Sequence, residues 1–173
     1  MDEAYVRTDN AATAQARIDD MMRDYQTKIV RYVRRMVGDA EAALDLSQDV
    51  FFAAYRMLSG DPTRELTAGW LYRAATNAAI SFMRRKKILR MLPLDREVDR
   101  GDWRVDERSA ASVDLQAALQ RLPPDQAAAV LLTSYAGYSS QEAATMLGTS
   151  ADAVRQRVCR AMRVLRAVMT EEK

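Results

Sequence analysis

Apolar residues recur at three- and four-residue steps through Ile18, Met22, Tyr25, Ile29, Tyr32, Val33 and Met36, the spacing of one buried helical face. Gly38 stops that pattern, and Asp39 stands where it can cap a second helix running to about Leu58. The cluster Ser59-Gly60-Asp61-Pro62 reads as a loop. Thr67 then caps a third helix, through Trp70 and Leu71 to about Leu92. From Pro93 the helical period is lost, and 93–112 reads as an acidic interdomain linker. Pattern resumes at Val113–Leu122, breaks at Pro123-Pro124, and resumes at Asp125–Ala136, followed by two short helices. Residues 1–14 are small, polar and aperiodic and read as a flexible tail. The expectation is an all-α chain of two small helical domains, a bundle over 15–92 and a second domain over 113–173.

The sharpest local pattern is GYSSQEAATMLGTSADAVRQRVCRAMRVLR. Ser139 and Glu142 have the spacing of a capping box, in which hydroxyl and carboxylate each satisfy an orphaned backbone N–H. Gly148 supplies a left-handed residue for a tight turn, and Ser150 caps the next helix. Small Ala144 lets two helices approach, and Val154 anchors the second on the first, as in a helix-turn-helix. At 100° per residue, Val154, Val158, Ala161, Leu165 and Val168 share a buried stripe. Asp152, Arg155, Gln156, Cys159, Arg160 and Arg163 share the opposite side. Arg grips guanine and Gln grips adenine through paired hydrogen bonds, while Asp accepts from cytosine. Five arginines between 155 and 166, Arg157 among them, with no acid between, also suit phosphates.

Composition narrows the chemistry. Among 173 residues there are only 6 Gly and 4 Pro, which disfavours a turn-rich β fold. There is no histidine, and Cys159 is the one cysteine, which removes His-based acid–base catalysis, Cys/His zinc sites and intrachain disulfides. No enzyme, metal or cofactor is expected. Cys159 reads as a tolerated small residue rather than a redox sensor. No apolar run reaches membrane-spanning length and no signal peptide opens the chain, so the expectation is a soluble cytoplasmic protein without membrane insertion. Net charge is +2 but uneven: residues 26–90 sum to +6 and 126–173 to +2, between stretches of −3 each. Two basic blocks suit a polyanion, although charge alone fits solvated helix faces equally well.

The second helix carries an apolar stripe of Ala43, Leu44, Val50, Phe51, Ala54 and Leu58. Phe52 stands apart on the polar side among Asp45, Gln48 and Asp49, a candidate protein-binding anchor, although isolated exposed apolar residues are also common. The third helix is read with Leu71, Ala74, Ala75, Ala78 and Phe82 inward. Arg73, Thr76, Asn77, Ile80 and Arg84 are read outward, and the helix ends in a basic run with Arg85. Part of that run complements the helix dipole, and the mixed basic and amide face suits single-stranded DNA.

DLSQDVFFAAYRML with GWLYRAATNAAISFMRRKK resembles the second conserved region of extracytoplasmic-function (ECF) sigma factors of bacterial RNA polymerase. QRLPPDQAAAVLLTSYAGYSSQEAATMLGTSADAVRQRVCRAMRVLR resembles their fourth region, and the likeness covers about 15–168. The resemblance implies a factor that brings core RNA polymerase to promoter DNA and opens it. It implies that Asp45, Gln48, Asp49 and Phe52 dock on the polymerase clamp helices, with the flap as a second polymerase contact. It places Arg73, Thr76, Asn77, Arg84 and Arg85 at the −10 element. The loop with Ser59, Gly60, Asp61, Thr63 and Arg64 then captures a base flipped from the non-template strand. The helix from Ala151, with Asp152, Arg155, Gln156, Arg157, Arg160 and Arg163, matches the −35 reader. An anti-sigma factor is an implied partner. Asp152-Ala153 stands where the family has glycine-threonine, and Arg155-Gln156 where lysine-serine is common, which leaves the −35 sequence open. The alternative is a helix-turn-helix regulator with a helical sensor or dimerisation domain. A helical adaptor without a DNA role is a third reading.

Overall fold

A computed structural model describes residues 3–91 and 110–171, with side chains described for 12–88 and 115–168. Every element among the described residues is helical: α1 (Glu3–Val37), α2 (Ala40–Gly60), α3 (Ala68–Met91), α4 (Ala110–Gln120), α5 (Pro124–Val130), α6 (Ser140–Leu147) and α7 (Ala151–Glu171). A single wide turn, Leu131–Tyr135, extends α5, with the Ala136 N–H reaching back to the Leu131 carbonyl at 2.8 Å.

The first three helices form a bundle. Gly38 turns the chain between α1 and α2 at φ +75°, a conformation that costs other residues. The Asp39 carboxylate then accepts the Ala42 N–H at 3.0 Å and starts α2. Ile29, Tyr32, Val33 and Met36 of α1 meet Val50, Phe51, Ala54 and Leu58 of α2 and Leu71, Ala75 and Ala79 of α3, all buried. At ~1.5–3 kcal/mol for each large apolar side chain buried, this set is the main reason the bundle holds. The alanines of α3 let it lie close against its neighbours.

Three boundaries are corrected. Helix α1 begins at Glu3, within the expected tail 1–14, and Ala14 is fully buried. The segment lacks an apolar period, but it contains neither Gly nor Pro and is rich in Ala, so helix propensity carries it. Helix α2 continues through Ser59 and Gly60, which the sequence reading gave to the loop. The expected linker falls outside the described residues as far as 109, and α4 already begins at Ala110.

The second half is a compact set of short helices. Pro123 and Pro124 break α4 from α5, with Pro124 in the first turn where its missing N–H does no harm. Ala127 to Leu132 are buried without interruption. Ala143, Ala144 and Met146 of α6 and Val154, Ala161, Leu165 and Val168 of α7 complete that core. The two halves also touch, through α1 with α4 and α3 with α5 and α6.

Candidate nucleic-acid interface

The α6–α7 unit is built by local chemistry. The Ser139 hydroxyl accepts the Glu142 N–H at 3.2 Å, and the Glu142 carboxylate accepts the Ser139 N–H at 2.8 Å. Chiefly the Ser139 hydroxyl, with its backbone N–H, holds the Glu142 carboxyl below the ordinary glutamate value. Gly148 closes α6 at φ +61°, and the Ser150 hydroxyl accepts the Ala153 N–H at 3.1 Å to start α7. Val154 is fully buried against α6, which fixes the rotation of α7.

That rotation turns Asp152, Arg155, Gln156, Cys159, Arg160 and Arg163 to solvent, the set expected from the sequence. Asp152 pairs with Arg155 within one turn, and the Arg163 guanidinium lies 3.7 Å from the Cys159 sulfur. Arg157 differs. It is half-buried and lies 3.6 Å from the Asp125 carboxylate of α5, so it ties α7 to its own domain.

The bundle presents a second face. Arg73, Asn77, Arg84 and Arg85 are exposed along α3. Lys86 is drawn back toward Asp39 at 3.9 Å and toward the Phe82 ring. Thr76 is corrected: it is 1% exposed, not part of the outward set. Its hydroxyl donates to the Tyr72 carbonyl at 2.7 Å and meets the Tyr32 hydroxyl at 2.7 Å. Burial pushes the Tyr32 phenol well above its ordinary value. The inward stripe of α3 therefore passes through Leu71, Tyr72, Ala75, Thr76 and Ala79, rotated from the one read through Leu71, Ala74 and Ala78.

Between α2 and α3, Asp61 organises the connection by accepting from the Thr63 N–H at 3.0 Å and the Thr63 hydroxyl at 2.6 Å. Those bonds, the hydroxyl foremost, lower the Asp61 carboxyl below its ordinary range. Gly60, Thr63 and Arg64 are exposed, and Arg17 of α1 donates to the Pro62 carbonyl. Ser59 instead lies in α2, with its hydroxyl buried and without a hydrogen-bond partner among the described residues.

On α2, Asp45, Gln48 and Asp49 are exposed, and Phe52 is 63% exposed. Leu44 is corrected from core to surface at 50% exposure, its place taken by Leu46 and Ser47. Leu44, Gln48 and Phe52 follow at four-residue steps, and with Ile18, Met22 and Val30 of α1 they line a groove of about 670 Å³. The sequence reading found Phe52 but not this groove, although the four-residue step was visible. Among the described residues no His, Cys, Asp or Glu cluster could hold a metal ion, and no helix is long and apolar enough to cross a membrane.

Comparison with known proteins decides the family. Sigma-70 region 2 matches residues 21–88 and Sigma-70 region 4 matches residues 112–165. The chain is 32% identical over 143 residues to the ECF RNA polymerase sigma factor SigM of Mycobacterium tuberculosis, covering 83% of this chain and 72% of SigM. The chain belongs to the ECF RNA polymerase sigma factors. It is also 31% identical to the RNA polymerase sigma-H factor of Pseudomonas aeruginosa, over 83% of this chain and 81% of that protein. Against the ECF sigma factor SigE of Mycolicibacterium smegmatis it is 32% identical over 86% of its own length but spans only 60% of that protein. The fold matches CnrH, solved in complex with the cytosolic domain of CnrY, at a TM-score of 0.66 and 25% identity over 96% of this chain and 98% of CnrH. It also matches RpoE of Bartonella quintana, co-crystallised with the anti-sigma factor NepR, at a TM-score of 0.69 and 19% identity, over 90% and 98% of the two chains. ECF sigma factors serve promoter recognition and initiation rather than catalysis, in line with the expectation that the chain is not an enzyme. The region 2 match likewise sets aside a stand-alone helix-turn-helix regulator.

Proposed function

We propose that this sigma factor docks core RNA polymerase through the α1–α2 groove, holds the −10 element with α3 and the loop that precedes it, and reads the −35 element with α7. The observation that carries the reading is Phe52, exposed on the rim of an apolar groove two turns along α2 from Leu44, with Asp45, Gln48 and Asp49 on the same side of the helix. An exposed aromatic beside an apolar groove, ringed by acid and amide, is the anchor-and-rim arrangement of a protein interface. The clamp helices of polymerase are its occupant, and the flap meets the α4–α7 half. Arg73, Asn77, Arg84 and Arg85 act at the −10 element together with Gly60, Asp61, Thr63 and Arg64. Asp152, Arg155, Gln156, Arg160 and Arg163 act at −35. Thr76 supports the α3 surface from within, and Arg157 positions α7. The protein works in the cytoplasm at the nucleoid, and an anti-sigma factor restrains it, as NepR is found on RpoE.

Run-off transcription with core polymerase on a genomic promoter library tests the reading as a whole. Phe52→Ala and Asp49→Arg test the docking surface. Each weakens co-purification with core polymerase and leaves helical content unchanged. Wild-type yield from both variants sinks the assignment of α2.

A further inference from the structure

The connection between α2 and α3 has its shape set from two directions. Asp61 organises it locally: besides the two bonds from Thr63 to its carboxylate, its carbonyl accepts the Arg64 N–H at 3.1 Å. Pro62 and Leu66 are half-buried, while Thr63, Arg64 and Glu65 between them are exposed, so the chain forms an arch with two feet on the bundle. Leu66 is packed against the apolar core. The other foot is held by Arg17, whose guanidinium donates to the Pro62 carbonyl from 45 residues away. A proline ring locks φ and the peptide bond is planar, so ψ of Pro62 is the one soft torsion that aims the chain into Thr63. A bond to the Pro62 carbonyl fixes that torsion, and a charged donor makes it a strong bond.

Arg17 is a firm point to hold from. It stands midway along α1, and its neighbours Ala14 and Ile18 are buried in the core, which fixes the backbone that carries it. It also precedes residues 21–88, the segment that Sigma-70 region 2 matches, so the tether is supplied from outside that segment. We propose that Arg17 is a positioning residue for base capture. It holds the arch from Pro62 to Leu66 in the shape that presents Thr63 and Arg64 to a base turned out of the non-template strand. The inference rests on the assignment of this loop to the −10 element. Extruding a base is unfavourable and must be repaid by contacts in the receiving pocket. A loop that has to be ordered at the moment of capture repays less of it, because the ordering costs entropy. A loop free to take several directions also accommodates other bases, so the tether sharpens choice as well as capture. Arg17 acts through the loop and does not itself read the base.

The test uses holoenzyme on a promoter recovered by the run-off screen, with each of the four bases placed in turn at the −10 non-template positions. Open-complex formation is read as the ratio between the preferred base and its competitors. Arg17→Ala lowers that ratio about tenfold at the captured position, equivalent to ~1.4 kcal/mol. Core polymerase binding and the selected −35 sequence stay at wild type. Arg17→Lys, which still donates, recovers most of the ratio. Hydrogen exchange of the full chain without polymerase follows the Thr63 and Arg64 amides, and both exchange faster in Arg17→Ala than in the parent or Arg17→Lys. Asp61→Ala, which removes the side-chain bonds of the turn, reports on the loop itself. A ratio that falls with Asp61→Ala but not with Arg17→Ala overturns the positioning role. So does a loss in Arg17→Ala that extends to −35 selection or to core binding, which marks a defect of the whole bundle. If neither variant changes the ratio, the assignment of the loop to the −10 element is what fails, and amide exchange decides the tether: unchanged exchange in Arg17→Ala overturns it.

Discussion

Helices α3 and α7 are both assigned to DNA, yet different forces set their rotation. The buried side of α7 is aliphatic, Val154, Ala161, Leu165 and Val168, and its opposite side is charged. Hydrophobic burial alone orients such a helix. The buried side of α3 mixes Leu71, Ala75 and Ala79 with Tyr72 and Thr76. Its orientation depends on a hydroxyl relay in which Thr76 bridges the Tyr72 carbonyl and the Tyr32 phenol. A threonine sealed among apolar groups is tolerable only with both its bonds made. A helix aimed by burial shows its outer face in the sequence, whereas one aimed by a hydrogen bond across the core does not.

The largest effect comes from breaking the α3 arrangement. Tyr32 is fully buried and stacks edge-on with Tyr72 at 5.1 Å between ring centres. Tyr32→Ala removes ring and hydroxyl together and costs about 3–5 kcal/mol in urea unfolding. Tyr32→Phe keeps the ring and costs about 0.5–1.5 kcal/mol. If Tyr32→Phe is neutral, the relay does not aim α3 and the contrast with α7 fails.

The same contrast governs what was legible in the sequence. Ser139, Glu142, Gly148 and Asp39 act within a few residues of themselves, so their roles follow from spacing. The α7 faces follow from a clean apolar period. Thr76 was misread because its partner Tyr32 lies 44 residues away, and a polar residue on a short stripe defaults to the surface. Leu44 was misread for the opposite reason, an apolar residue that the bundle leaves half exposed on the groove that Phe52 and α1 also line. Gln116 and Gln120 look like ordinary solvated side chains until α1 ends against them. Contacts between distant segments are where residue patterns run out.

A smaller effect sharpens the comparison on α7. Gln156 and Arg160 project from the early, outward part of the helix, where side chains reach base edges, and Arg163 lies further along, where phosphate contact is expected. Gln156→Ala and Arg160→Ala each alter the sequence selected from randomised −35 DNA, at a cost of about 1–3 kcal/mol per lost base contact. Arg163→Ala weakens all sequences alike and reduces the salt slope by about one unit. None of the three moves unfolding stability by more than ~0.5 kcal/mol, unlike Tyr32→Ala. Unchanged selection with both Gln156→Ala and Arg160→Ala removes them as readers. A changed sequence with Arg163→Ala gives the helix a different tilt in the groove.

The smallest effect concerns the cap that starts α6. The Ser139 hydroxyl accepts one backbone N–H and donates to the Glu142 carboxylate at 2.7 Å. Ser139→Ala costs about 1 kcal/mol at neutral pH, read by urea unfolding of the full chain. The pH dependence has a definite sign. Glu142 has its carboxyl held below the ordinary value of 4.5 when folded, so the unfolded chain takes up its proton first as pH falls. The stabilisation is complete above that ordinary value and disappears as pH drops through the lower, folded one. Without the Ser139 hydroxyl the folded carboxyl moves back toward 4.5, since that hydroxyl is the leading cause of its depression. The gap between parent and Ser139→Ala therefore narrows on acidification, leaving only the part due to the hydroxyl accepting the Glu142 N–H. Chemical denaturation at neutral pH and at several points below the ordinary glutamate value measures that gap. A gap of constant size across the series shows that the carboxylate arm of the box contributes nothing. Tyr32→Phe supplies the control from the other region, because neither Tyr32 nor Thr76 changes protonation anywhere in that range and its penalty has no such slope.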